Sequence, residues 1–340
     1  MTIGGVFDAT ASKTLELDAT TVGGGTGAVT QTAALTNVGT LTGNAGTVTL
    51  TRACNSIVNR GSFAAMTGHL DLVNNRDLSV TGPVAATAGT VNITTTAGSG
   101  TLGSLTMGAA VMAGTDVILK ADETTNGASF VNATRDAALT AVAGDINGAP
   151  TARRDATLSA GNTINGGASA SGSATLTAGN DINNSGVTAT ASFATLTATG
   201  GNITDDGGVT AGTTVSLTAG KNVTQNATTI TAPASVTVIA SAGTIGQTAC
   251  GTISATGATG TVALTAATDI LFGGTLSTGA GGATGSVALT ANAGQISETA
   301  AGEEIAHPFF WAPFAVIGEG DERAPASADS HVSPRRLAGL

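Results

Sequence analysis

The most constraining feature of this chain is a unit that reads apolar-Thr-Ala-Gly-Asn-x-Ile-Asn and returns about every 21 residues. It occurs as LSAGNTIN from Leu158, LTAGNDIN from Leu176, LTATGGNIT from Leu196 and LTAGKNVT from Leu217. Looser copies begin at Leu139, Val238, Leu264 and Leu289, and weaker ones at Leu50, Leu72, Ile93 and Leu119. From Leu139 to Leu289 the spacings are 19, 18, 20, 21, 21, 26 and 25 residues. A fixed period of this size is the mark of a repeat architecture, in which one unit cannot bury its own apolar face and must stack on its neighbours.

Within a unit the apolar residues alternate with hydroxyl residues. In ATLTA around Leu176, Thr175 and Thr177 flank one apolar side chain. Successive strand side chains point to opposite faces, so Leu176 faces inward and both threonines face outward. Gly179 and Asn180 then supply a turn, read here as positive-φ chemistry. Ile182 opens a second short strand. Each unit is thus two or three strands of three to five residues, and strands pair with the coils above and below. The expected fold is all-β: a parallel β-helix of about 20-residue coils with a short irregular C-terminal tail. Some 13–14 coils at the interstrand spacing would make a rod roughly 60–70 Å long. Pro83, Pro150 and Pro233 fall where corners are expected, as a residue without an N–H should. A helical solenoid would need a 3.6-residue period, and a propeller would need blades of about 40 residues.

The N-terminal 50 residues show the pattern only weakly, so the repeat domain is placed at 1–297. Composition changes there. Residues 1–297 hold 15 acidic and 9 basic side chains, whereas 298–340 hold 7 and 3, the only Trp, three of eight Phe and four of seven Pro. Residues 298–320 form an apolar, aromatic terminal segment, and 321–340 are expected to be disordered.

Charge excludes some functions. The net charge is −10 with only 12 Lys and Arg in 340 residues, which argues against nucleic acid as a partner. No apolar run is long enough to span a membrane. MTIGGVFDATASK has neither a basic start nor an apolar h-region, so it is not expected to act as a signal peptide; the chain reads either as cytoplasmic or as a piece of something longer.

The LTAGNDIN-type units, from about Leu50 to Ile296, resemble the filamentous haemagglutinin class of bacterial surface adhesins. That resemblance implies a right-handed parallel β-helix, secreted through an outer-membrane partner and displayed at the cell surface to an extracellular receptor. The secretion domain of that class is not recognisable here. The run His307-Pro-Phe-Phe-Trp311-Ala-Pro-Phe314-Ala-Val-Ile-Gly318 is similar to the closing segment of CHAT domains, the caspase-like peptidase relatives. The catalytic His and Cys of that family lie upstream within a full α/β domain, and the 10 residues between Ile296 and His307 cannot hold one. The tail therefore reads as a remnant, and a repeat scaffold once joined to a CHAT-type module is the alternative function.

No catalytic, cofactor or metal site is expected. Gly98-Ser-Gly100-Thr-Leu-Gly103 matches GxGxxG, but a dinucleotide site needs a helix after the loop; SLTMGAAVMAG is broken by Gly and suits another coil. Gly23–Gly27 and Gly281–Gly285 carry the glycines of a calcium β-roll without its Asp. Asp205–Asp206 is a pair of adjacent carboxylates in the body; a glycosidase or lyase would need such a pair on one face, while Asp-Asp-Gly-Gly reads more simply as a turn. His69, His307 and His331 form no metal spacing with Cys54 and Cys250, and neither cysteine has a base nearby in sequence. Two regular features remain. Thr157, Ser159, Thr175, Thr177, Thr195, Thr197, Ser216 and Thr218 should form two outward hydroxyl columns, a face that resembles the ice-binding surface of some β-helical antifreeze proteins; the simpler reading, which is preferred, is that Thr is a good strand former that keeps the outside soluble. Asn162, Asn180, Asn202 and Asn222 should stack as one turn ladder.

Overall fold

A computed structural model of the chain describes residues 1–5, 7–8, 13–20, 27–98, 100–279, 284–298 and the backbone of 315–316. It is a parallel β-solenoid of about 12 turns, with coils about 21 residues apart. Each coil has three short strands and so three walls. The coil from Leu70 shows the plan: Leu70–Asn74 forms the first wall, Leu78–Val80 the second and Val84–Ala86 the third.

The first wall is a single sheet of 15 strands, including two-residue strands at each end. The second and third walls are separate ladders that share a few long strands. Ile57–Ala65, Ile164–Ala170 and Ile182–Ala189 run round the corner without a break and belong to both. Pairing is parallel and in register. Leu158 lies on Leu176, Leu176 on Leu196 and Leu196 on Leu217. Ile164, Ile182, Ile203 and Val223 stack likewise on the second wall. All eight are buried, none more than 2% exposed.

Parity explains the burial. In Ala174–Ala178, Ala174, Leu176 and Ala178 face the interior and Thr175 and Thr177 face out. Fully burying one Leu stabilises by about 1.5–3 kcal/mol. Alanine columns on either side of the leucines keep the interior narrow enough to fill: Ala137, Ala156, Ala174 and Ala194 stack on one side, Ala141, Ala160, Ala178 and Ala198 on the other.

The corners also bond from coil to coil. Gly179 N donates to Ala160 O at 3.0 Å and Asn180 N to Asn162 O at 2.8 Å. This corrects the reading of the Gly-Asn corner. Neither Gly179 nor Asn180 has a positive φ. Glycine is needed at 179 because coils approach so closely that an added Cβ would lie 2.0 Å from the Gly161 carbonyl oxygen. Pro83, Pro150 and Pro233 do sit at corners, outside every strand.

Regular pairing extends into the first 50 residues. Thr14–Asp18 pairs with Thr40–Asn44 across the second and third walls, and Ala28–Thr30 with Thr47–Thr49 on the first. At the other end Ala315 and Val316 pair with Ala288 and Leu289. The rest of the His307–Gly318 run, and residues 321–340, lie outside the described residues.

Candidate functional site

The outward face of the first wall carries the expected hydroxyl array. Thr157, Thr175, Thr195 and Ser216 are consecutive partners in one column, and Ser159, Thr177, Thr197 and Thr218 in the next. The columns stand about 7 Å apart and step by about 4.8 Å from coil to coil. Thr157, Ser159 and Thr177 are exposed and the other five half-buried. Among the described residues none of the eight hydroxyls hydrogen bonds to the protein.

A third hydroxyl column lies on the third wall and was missed in the sequence. Thr151, Ser169, Thr188, Thr210, Thr231, Ser254 and Ser277 pair in unbroken succession. Its signal was legible in Ala-Ser-Ala at 168–170, Val-Thr-Ala at 187–189 and 209–211, and Ile-Thr-Ala at 230–232, each with its hydroxyl residue at the outward, middle position.

The asparagines form two kinds of ladder. Asn180 Nδ2 donates to Asn162 Oδ1 at 2.6 Å and Asn222 Nδ2 to Asn202 Oδ1 at 3.1 Å. The expected single column breaks between them: Asn202 Nδ2 donates to Asp181 Oδ1 at 3.1 Å, not to Asn180. Stacking of Ile182 on Ile203 sets the register, and Asn202 directly precedes its isoleucine as Asp181 does, whereas Asn180 stands two residues before its own. A second ladder, absent from the sequence reading, joins Asn147 to Asn126, Asn165 to Asn147 and Asn183 to Asn165 at 2.7, 2.9 and 2.7 Å.

Opposite charges stack at the corner before the first wall. Arg135 grips Asp116 and Arg154 grips Asp136, each through Nε and Nη2. The Arg135 hydrogen bond holds the Asp116 carboxyl below the usual carboxylate range, and the Ser173 hydroxyl does the same for Asp155.

A shallow groove of about 300 Å³ lies where the second wall meets the third, lined by Gly186, Val187, Thr188, Asp206, Gly207, Gly208, Thr210, Thr228 and Thr229. Asp205 and Asp206 part company beside it. Asp206 is exposed and accepts from Asn226 Nδ2 at 2.7 Å. Asp205 is buried, and Asn184 Nδ2, Gly208 N and Thr228 Oγ1 donate to its carboxylate at 2.6, 2.9 and 2.7 Å. Burial pushes the Asp205 carboxyl above its ordinary value despite these donors. The two carboxylates therefore share no face: Asp205 ends the strand Ile203–Asp205 in an inward position, and Asp206 begins the corner after it.

Asp205 belongs to an interior polar column of the second wall, Asn184, Asp205, Gln225 and Gln247, all buried and in register. Each stands two residues after the inward Ile or Val of its strand. Parity alone places it inside.

The remaining candidates separate. In the GxGxxG run, Gly98 bridges to Thr101, and Gly100 and Gly103 take φ of 77° and 76°, a left-handed region that glycine adopts without penalty. A strand, Leu105–Met107, follows instead of a helix. His69 Nδ1 accepts from Thr90 N at 3.1 Å, across one coil. Cys54 and Cys250 are exposed free thiols. Residues 23–26 and 281–283 of the two glycine-rich runs, together with His307 and His331, lie outside the described residues. Among the described residues no three His, Cys, Asp or Glu side chains gather as a metal site, and no helix is long and apolar enough to cross a membrane. No known family model, curated protein or solved structure matches the chain.

Proposed function

We propose that this chain is a non-catalytic, adhesin-type β-solenoid rod that acts outside the cell, at a bacterial surface, by presenting a side wall to an extracellular receptor or surface. One observation carries the reading: the eight hydroxyls of the first wall hold register over four coils, and none is used in an internal hydrogen bond. A rigid wall of free donors and acceptors suits recognition by many weak, repeated contacts, whose strengths compound when the geometry lets them engage together. The resemblance of the repeats to filamentous haemagglutinins supplies the location and the outer-membrane secretion partner. Support for the absence of catalysis comes from Asp205 and Asp206, since one is locked inside the solenoid by three donors and the other lies on the surface, bonded to Asn226.

The test is saturable binding of labelled protein to arrays of glycans and extracellular-matrix proteins. Binding that falls at least tenfold when Thr175 and Thr177 are both changed to Lys, with an unchanged melting curve, supports the reading. Turnover of a peptide or polysaccharide by the purified protein overturns it.

The flat register of the two columns favours one second reading, an ice or mineral face matched to their spacing. Thermal hysteresis in a freezing-point assay, abolished by the same two substitutions, would replace the receptor with a crystal.

A further inference from the structure

Arg60 stands in the inward column of the second wall, in register with Leu41 on one neighbouring coil and Val80 on the other. It is 0% exposed. Nη1 donates to the Leu41 carbonyl oxygen at 3.1 Å, and the guanidinium carbon lies 3.7 Å from the centroid of the Phe63 ring. The other two nitrogens, Nε and Nη2, are buried and meet no acceptor.

Those two nitrogens share one edge of the planar guanidinium, where parallel N–H bonds form a fork for an anion. The same chain shows that edge at work: Arg135 and Arg154 use Nε and Nη2 to grip Asp116 and Asp136. At Arg60 no carboxylate of the described residues reaches it. An arginine keeps its proton in a protein. Its charge therefore stays in an apolar interior, compensated by one carbonyl dipole and one ring face. Burial draws the Arg60 guanidinium's pKa down, as expected of a cation lacking a counter-charge.

We infer that Arg60 binds a small inorganic anion of chloride size inside the solenoid, through Nε–H and Nη2–H. Its surroundings limit the size of the ligand. Nε and Nη2 are themselves buried, and Phe63 is 2% exposed, Val80 1% and Leu41 0%, so the fork does not face solvent. A peptide carboxylate or a phosphate ester would bring a substituent for which such an enclosure has no exit. A halide brings none. The bound ion neutralises the core and ties the stability of the N-terminal coils to halide concentration.

The experiment has two arms on the full chain. In crystals equilibrated with sodium bromide, anomalous diffraction should place bromide within hydrogen-bonding reach of Arg60 Nε and Nη2. In melting curves at constant ionic strength, replacing gluconate by chloride should raise Tm by roughly 2–4 °C for each tenfold increase in chloride. Arg60→Met keeps the aliphatic stem and removes the fork, so it should melt without chloride dependence. A water at that position in the bromide crystals, or a chloride response that persists undiminished in Arg60→Met, overturns the inference. The crystal arm needs no variant and decides the matter even if Arg60→Met does not fold.

Discussion

Asn184 Nδ2 donates to Asp205 Oδ1 at 2.6 Å inside the solenoid, one coil apart in the same inward column. Between Gly166 and Phe272 this column holds Asn184, Asp205, Gln225 and Gln247, so amides and a carboxylate occupy inward positions without leaving the fold. At Asp205 both carboxylate oxygens find donors, whereas Gln225 Oε1 and both side-chain polar atoms of Gln247 meet no partner among the described residues; an unsatisfied buried group costs about 1–3 kcal/mol.

Asp205 gives a pH dependence of definite sign. Its folded-state pKa is raised, chiefly by burial. The protonated form is therefore favoured in the fold, and the stability it contributes is full below the unfolded value near 3.8. That contribution declines as pH rises through the folded pKa. Asp205→Asn keeps the acceptor for Asn184 and Gly208 and turns Thr228 into an acceptor. The variant should be more stable than the parent at pH 7, by roughly 1 kcal/mol, and the two should converge near pH 3. Urea melts at the two pH values decide it; a variant that is weaker at pH 7 contradicts the burial argument.

The surface pairs run the opposite way. Asp116 and Asp155 have lowered pKa values, from hydrogen bonds to Arg135 and Ser173 respectively. Their contribution is present above the unfolded carboxylate value and lost as pH falls through their folded pKa. Both lie near solvent and carry little weight. Arg135→Ala should lower Tm by no more than a few degrees, and 0.5 M salt should erase most of the difference.

The Leu176 column tests the register. Leu176→Asp places an unpaired charge between Leu158 and Leu196 and should cost several kcal/mol or prevent folding. Leu176→Ala should cost about 2–5 kcal/mol. Thr177→Asp, one residue away on the exposed face, should stay within about 0.5 kcal/mol. Equal losses at 176 and 177 in denaturant melts would mean that the faces are misassigned.

Cys54 and Cys250 should never form an intramolecular bridge. The first-wall strands of their coils, Thr47–Leu50 and Ser235–Ala240, are nine steps apart in the sheet order. That is about 43 Å along the rod, against the roughly 7 Å limit between bridged Cα atoms. Both thiols are exposed, so a thiol reagent should label two equivalents on the native chain. Oxidation should produce only bridges between molecules, seen as ladders on non-reducing gels.

The sequence by itself determined the fold class, the two apolar columns and the outward hydroxyls, because a strand alternates faces and a 21-residue repeat leaves one way to stack them. The same parity holds the third hydroxyl column at Thr188 and Thr210 and the interior position of Asp205, both readable in principle. Tertiary structure decided the rest. Asn202 meets Asp181 instead of Asn180 because isoleucine stacking, set by the neighbouring coil, fixes which corner atoms coincide. Gly179 is required by the approach of Gly161 and not by its own dihedral angles, and no local pattern records that distance. Arg60 is the plainest case: it lies three residues from the inward Ile57, where strict alternation would turn it to solvent. Its register with Leu41 and Val80 puts it inside. Alternation is a property of one strand; which side of a bent strand faces the core belongs to the coils packed above and below it.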